Sequence, residues 1–367
     1  MEWLATADNV NITNTGAVEK REGYALDRAG TFTGIYTTLD FQRMYLVDGG
    51  TIQTYSGAIL IGGLSSAPMF WTEVNDQVFY NNGIDSGIIL ADNTVIPWSW
   101  PTPDTPALSA GSPWPGQVTV GGLYQVCCTF ILPDGRETGA SDVSEITLAE
   151  GESLLLSGLS QRAGYRTNIY AAPANSTVFQ LLAFTGFSAF SVAINPDNLG
   201  RELQTAFMDP LPATADVVQE WKGRIYAAQY MPSVNQTVVW FSEPLAFHLF
   251  NLNSNFLLFP GRVHMLAPTD DALIISTDSK IYAYDGKNQK QIADYGVIPG
   301  QHWSKDDNRI VFWTTRGVCA ALPFSNLTER QVSVAPGVRA GGAIVRTGGQ
   351  KRYVVALQQG GSAFNDF

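Results

Sequence analysis

Charge is scarce in this sequence. Asp, Glu, Lys and Arg together make up 15% of 367 residues, and no block of like charges stands out. A polycationic grip on nucleic acid is therefore not expected, because it needs clustered Lys and Arg to displace counterions. The 33 acids outnumber the 22 bases, for a net charge of −11, which reads as a solvated acidic surface without an acidic tail. Cysteine is equally sparse. Cys127, Cys128 and Cys319 are an odd set, and the adjacent pair on a strand would point to opposite faces, so no disulfide framework is expected. There is no CxxC, and His248, His264 and His302 are scattered, so neither a zinc site nor any other metal or cofactor is expected. No apolar run approaches the ~18 residues that span a bilayer. The opening "MEWLATADNVNIT" has no basic region leading into an apolar stretch, so no signal peptide is expected. Gly-x-Ser-x-Gly is missing, and Ser157-Gly158 in "LLLSGLS" reads as a strand end. The paired glycines fit hairpins or chain ends, not phosphate loops.

What is present is a large apolar content, 45%, punctuated by 35 Gly and 19 Pro. That is the composition of a folded chain with many tight turns. A plain unit recurs. "ALIISTDSKIYAYDG" (272–286) reads as strand, turn at Asp278-Ser279, strand, turn at Asp285-Gly286. Met44–Val47 and Thr51–Tyr55 flank Asp48-Gly49-Gly50, and 68–83 alternates around Asn75-Asp76. Lys222-Gly223 precedes a strand over Arg224–Gln229, and 263–286 has a further turn at Asp270-Asp271. Residues 302–323 turn at Asp306–Asn308 and Arg316-Gly317, and 342–359 turn at Gly348-Gly349. Units recur at roughly 35–45 residues, which suits four-stranded blades. The expected fold class is all-β: a β-propeller of about six blades, with an N-terminal strand in 9–24 able to close the ring. Ordinary antiparallel sandwiches are the alternative.

The rhythm breaks between about residues 101 and 212. "PTPDTPALSAGSPWPG" (101–116) is Pro-rich and reads as a linker. The strands that follow, 122–159 and 165–186, resemble a fibronectin type III-like sandwich of about 95 residues. The expected organisation is a first propeller part over 1–100, a linker over 101–116, an inserted sandwich over 117–212 and a second propeller part over 213–367. Surface loops tolerate such insertions.

Candidate chemistry is thin. Asp270-Asp271 and Asp306-Asp307 fall in predicted turns, where Asp bonds its own backbone. "SKDDNRIVFW" (304–313) matches a sialidase-like Asp-box at Ser304 and Asp306, but has Asn308 for Gly and Ile310 for Thr, and Trp313 falls late. "DNVNITNTG" (8–16) is rich in oxygen ligands. Glu19 fits the twelfth EF-hand position from Asp8, but Thr13 holds the glycine position and no flanking helices are expected. No catalytic residue is assigned. Trp98, Trp100 and Trp114, flanked by prolines, are candidate binding or interface residues; the competing reading, a linker packed onto the propeller, is favoured over it.

Three stretches together resemble tailed-bacteriophage virion proteins. "NVNITNTGAVEKREGYAL" (9–26) looks like the opening of such chains, with Gly16, Lys20, Arg21, Gly23 and Tyr24 in the pattern. "EWKGRIYAAQ" (220–229) followed by "VVWFSEPLAFHLFN" (238–251) looks like their paired-strand segment ending in Ser-Glu-Pro. "LIISTDSKIYAYDG" (273–286) is similar to the blade after it. The resemblance is to tail stabilisation or nozzle proteins. It implies a non-enzymatic structural protein of the virion tail, assembled in the bacterial cytoplasm, that retains DNA and lets it pass. The implied partners are other tail proteins (portal, adaptor, tail fibre or a neighbouring ring) and copies of itself in a homo-oligomeric ring. DNA contact in the lumen would be passive, with no sequence-specific binding and no membrane insertion. The alternative expectation is a receptor- or glycan-binding tail-tip protein that uses the inserted sandwich.

Overall fold

The computed structural model describes residues 10–12, 18–20, 27–112, 119–173, 176–329, 334–347 and 350–360. The chain is all-β, built from many small antiparallel sheets in a propeller-like arrangement, with one short 3-10 turn at Pro196–Asn198 and no α-helix among the described residues.

Five sheets follow one another as meanders. The first holds Phe32–Thr37, Met44–Asp48, Thr51–Thr54 and Ile59–Ile61. The second holds Phe70–Val74, Gln77–Asn81, Ser86–Ile89 and Val95–Ile96. The third holds Ala215–Trp221, Arg224–Met231 and Gln236–Glu243, whose far edge is shared by Ala246–Phe250 and Phe256–Pro260. The fourth holds Val263–Pro268, Leu273–Thr277, Ile281–Tyr284 and Gln289–Ala293. The fifth holds Ser304–Asp306, Arg309–Thr314, Gly317–Ala321 and Ser325–Asn326. A hairpin, Arg339–Thr347 with Gln350–Gln358, ends the series.

The turns explain the sharp reversals. Asn75 and Asp76 both sit at positive φ (51° and 60°), as do Lys222 and Gly223 (50° and 73°). Two left-handed residues match the twist of the flanking strands, and Asn, Asp and Gly reach that region at least cost.

Strand alternation explains the packing. Ile225 and Ala227 face the second sheet, where they meet Phe79 and Ile88, while Tyr226 between them faces the fourth. Leu273 and Ile275 turn back to Trp221 and Tyr226 of the third sheet, and Ile274 turns forward to Ile310 and Phe312. Successive side chains point to opposite faces, so a sheet packed on both sides needs apolar residues at every position. This is why "ALIIS" is continuous instead of alternating. The same relation joins the first sheet to the second through Tyr45, Val47, Trp71 and Tyr80. It also joins the fifth to the terminal hairpin through Trp313, Ala340, Val355 and Leu357. Each such Leu, Ile or Phe contributes roughly 1.5–3 kcal/mol by leaving water.

Between the second and third sheets the chain forms a different pair of sheets. One is Ala107–Gly111, Ser153–Ser157 and Phe190–Val192; the other orders Ser144–Leu148, Gly122–Ile131, Arg166–Pro173 and Gln180–Thr185. They enclose one core, with Leu154 and Leu156 from the first against Val126, Cys128 and Ile169 from the second. Cys127 faces the other way, onto Tyr170 and Leu203.

Two expectations are corrected. The span 101–116 is not wholly linker: Ala107–Gly111 is a strand paired along its length with Ser153–Ser157. Its Ala, Leu and Ser residues are compatible with an edge strand once the prolines have ended. The described part of 9–24, residues 10–12 and 18–20, is not one closing strand. Val10–Ile12 pairs with Val18–Lys20 as a hairpin and, among the described residues, with no other strand.

Candidate functional site: an axial cavity

The first strands of the second, third and fourth sheets pack side by side, and together with Tyr36 of the first sheet and the segment before the fifth they line a cavity of about 200 Å³. Tyr36 enters it from the first sheet, Trp71 from the second, Gln219 from the third and His264 from the fourth. Gln301 and Trp303 enter from the segment leading into the fifth. Positions so far apart in sequence meet because four sheets contribute residues of their first strands and the fifth the segment leading into it.

The walls are aromatic and neutral. Trp71 stacks between Tyr36 (centroids 5.6 Å apart) and Tyr45 (6.5 Å), and its Nε1 is buried with no acceptor among the described residues. The Tyr36 hydroxyl donates to Glu73 Oε2 at 3.1 Å. Burial, and then the neighbouring Glu73 carboxylate, raise the Tyr36 pKa far above its usual range. Gln219 Nε2 donates to Thr72 Oγ1 at 3.3 Å, and Gln301 Nε2 donates to the Met69 carbonyl. Burial, and then the Arg262 guanidinium, hold the His264 imidazole below its usual pKa and so neutral at pH 7. The cavity offers aromatic faces, amides and one neutral imidazole, and among the described residues no carboxylate lines it. It can hold a small neutral or aromatic group by stacking and hydrogen bonding. It lacks a carboxylate pair for general acid–base work.

The residues singled out from sequence lie elsewhere. Trp98 is 1% exposed, packed edge-on against Phe79, with Nε1 donating to the Phe247 carbonyl at 2.8 Å. Its ring is a core element, which removes it as an exposed binding residue. Trp100 is half-buried, edge-on to Tyr165 at 5.4 Å and beneath the Arg162 guanidinium at 4.2 Å. Trp114 lies outside the described residues, as do Gly16, Arg21, Gly23 and Tyr24. The acidic pairs are spent between sheets. Asp270 meets Lys305 at 2.9 Å, Asp271 accepts from Asn308 at 3.2 Å, and Asp306 meets Lys351 at 2.6 Å and Arg346 at 3.2 Å. The axial residues were missed because each lies on an apolar strand with nothing local to mark it.

Comparison with known proteins adds little. No protein-family model and no curated protein matches the chain. Among solved structures, the chain is similar to the extracellular domain of a one-component system from B. thetaiotaomicron (TM-score 0.34, 11% identity, covering 89% of this chain and 37% of that one). It therefore spans little more than a third of that protein's length. It is also similar to Kluyveromyces lactis Hsv2 (TM-score 0.32, 8% identity, 88% of each chain) and to Citrobacter koseri AztD (TM-score 0.29, 12% identity, 89% and 90%). Likenesses at this level carry no argument about function.

Proposed function

We propose that this chain is a non-enzymatic structural protein of a bacteriophage tail, of the nozzle or tail-tube stabilising kind, that helps retain DNA and lets it pass. In this reading the five sheets and the terminal hairpin are about six blades of a propeller. The paired sheets from Ala107 to Val192 are an inserted fibronectin type III-like sandwich, whose four-stranded sheet has the C′-C-F-G order of that fold. The sequence resemblance supplies the phage assignment. The observation that carries an assembly role is the state of three apolar residues. Phe41, Leu245 and Phe207 sit at φ near +60° while 83%, 76% and 79% exposed. A bulky residue in left-handed backbone is strained, and an exposed apolar one gains nothing from water. Both costs fit positions that dock against neighbouring subunits.

The test is mass spectrometry of purified particles, quantifying the chain against the major capsid protein. A low, fixed copy number matching a tail ring is expected; absence from particles would sink the proposal.

A second reading, receptor or glycan binding by the sandwich, draws on Phe184 and Phe187. They are 59% and 73% exposed, and the Arg166 guanidinium lies 4.7 Å over the Phe184 ring. Its test is host-surface binding by the full chain, compared with Phe184→Ser and Phe187→Ser.

A further inference from the structure

Two side chains in the wall of the cavity are left unspent by the fold. Among the described tryptophans, Trp71, Trp100 and Trp221 pack against other aromatic rings, and Trp98, Trp240 and Trp313 donate their indole N–H to an oxygen. Trp303 does neither. Its half-buried ring packs beside the core shared by the fourth and fifth sheets and forms part of the cavity wall. His264 is half-buried in the same wall, and no described residue hydrogen-bonds its imidazole.

Two amides complete the polar set. The Gln219 nitrogen is committed to Thr72 Oγ1 and the Glu220 carbonyl, and the Gln301 nitrogen to the Met69 carbonyl. Their Oε1 atoms remain as acceptors. The rest of the wall is largely apolar, with Phe70, Val217, Val218, Met265 and Leu266. Gln301 is exposed, so the cavity can be entered from that side.

Size, charge and polarity then limit what fits. A cavity of about 150 Å³ admits benzene. About 200 Å³ therefore admits one ring with a small substituent. An ion would be buried without a counter-charge, because among the described residues no carboxylate lines the cavity and the nearby Arg262 is already paired with Asp216 at 2.7 Å. A sugar would set several hydroxyls against valine, methionine and leucine, where they find no partner. A flat ring with one amide avoids both costs. Its carbonyl can accept from the imidazole N–H and its N–H groups can donate to the glutamine oxygens.

We infer that this cavity is a binding site for a small uncharged aromatic amide, stacked on Trp303 and hydrogen-bonded by His264, Gln219 and Gln301. The inference goes beyond the assembly role and does not depend on it. Because the wall draws on all five sheets, an occupant bound only by the folded chain also raises the thermal midpoint as its concentration rises.

The test is saturation-transfer NMR and calorimetry of the full chain with benzamide, its charged isosteres benzoate and benzamidinium, and glucose. Benzamide should bind with a Kd on the order of 1 mM or tighter, as expected for a fragment of this size. The two ions and glucose should bind at least roughly tenfold more weakly. Trp303→Ala should abolish benzamide binding, and His264→Leu should weaken it roughly tenfold, the worth of one hydrogen bond. Circular dichroism checks the fold of both variants. No benzamide binding up to about 10 mM would mean that the cavity holds water only, and would overturn the inference. Equal affinity for the three isosteres, a preference for glucose, or binding unchanged in both variants would overturn it as well. The four-ligand comparison uses the wild type alone, so it decides even where a variant fails to fold.

Discussion

The indole Nε1 of Trp98 donates to the main-chain oxygen of Phe247 at 2.8 Å, tying the end of the second sheet to the third across the whole intervening pair of sheets. The ring is sealed by Phe79 on one side and the third sheet on the other. Trp98→Ala should therefore cost about 3–5 kcal/mol, the range for removing a fully buried large aromatic residue. Trp98→Phe should cost less, but should leave the Phe247 carbonyl unpaired. Urea unfolding of the two variants checks this. A loss below about 1 kcal/mol for the alanine variant would mean that the ring is not core.

That residue also marks how far the sequence could be read. Hairpins were legible wherever the turn carried its own chemistry: Asn75-Asp76, Lys222-Gly223 and Asp278-Ser279 all separate paired strands. Turn residues act locally, so one sequence suffices to find them. Trp98 was not legible, because prolines on its sequence neighbours say nothing about Phe247, 149 positions away. Ala107–Gly111 was hidden for a related reason. Its partner strand supplies the stabilisation, and its own composition is that of a loop. The axial cavity is the extreme case, being defined only by the convergence of five distant segments.

Gly139 marks a close approach between the paired sheets and the returning chain. A Cβ there would run into the Met208 carbonyl oxygen and come within 3.1 Å of Thr102 Cγ2. A backbone oxygen cannot swing aside as a side chain can. Gly139→Ala should cost on the order of 2–4 kcal/mol through strain. The thermal midpoint should drop by several degrees; an unchanged midpoint would show that the segment yields freely.

The three thiols should be silent in the native protein. Cys127, Cys128 and Cys319 are all buried, and burial pushes the first two up to about 12. The thiolate is the reactive form, so little is available at pH 8. A disulfide reagent such as DTNB should report close to zero fast-reacting thiols in the native chain and three after denaturation. Fast reaction of any one before unfolding would contradict its packing.

Two histidines set a pH window. Burial pushes His248 and His302 down to about 4. Both are neutral when folded, whereas an unfolded imidazole takes a proton near 6.5. Below that pH the unfolded state binds more protons, so stability is full above about 6.5 and is lost as pH falls toward 4. Each histidine should contribute on the order of 2–3 kcal/mol of that loss by pH 4.5. Urea midpoints measured from pH 7.5 to 4.5 should fall, and His248→Gln should flatten the slope. A flat profile over this window would show that neither imidazole is buried as described.

Arg136 is the hinge between the paired sheets and the rest of the fold. Its Nη1 donates to the Trp98 carbonyl at 2.5 Å and its Nη2 to the Pro97 carbonyl at 2.6 Å. Asp134 holds the same guanidinium in place at 2.7 Å. A further polar link nearby is His248 Nε2 against the Glu137 carbonyl at 3.0 Å. Arg136→Ala leaves two carbonyls without their charged donor and should cost roughly 2–4 kcal/mol. The loss falls at the junction, because each set of sheets keeps its own core. Calorimetry should therefore show one cooperative transition in the wild type and two in the variant. Arg136→Lys should not restore a single transition, since an ammonium cannot match the planar fork that reaches both carbonyls at once. A single transition in the alanine variant would mean that the shared packing around Trp98 and Trp100, and not the arginine, couples the two parts.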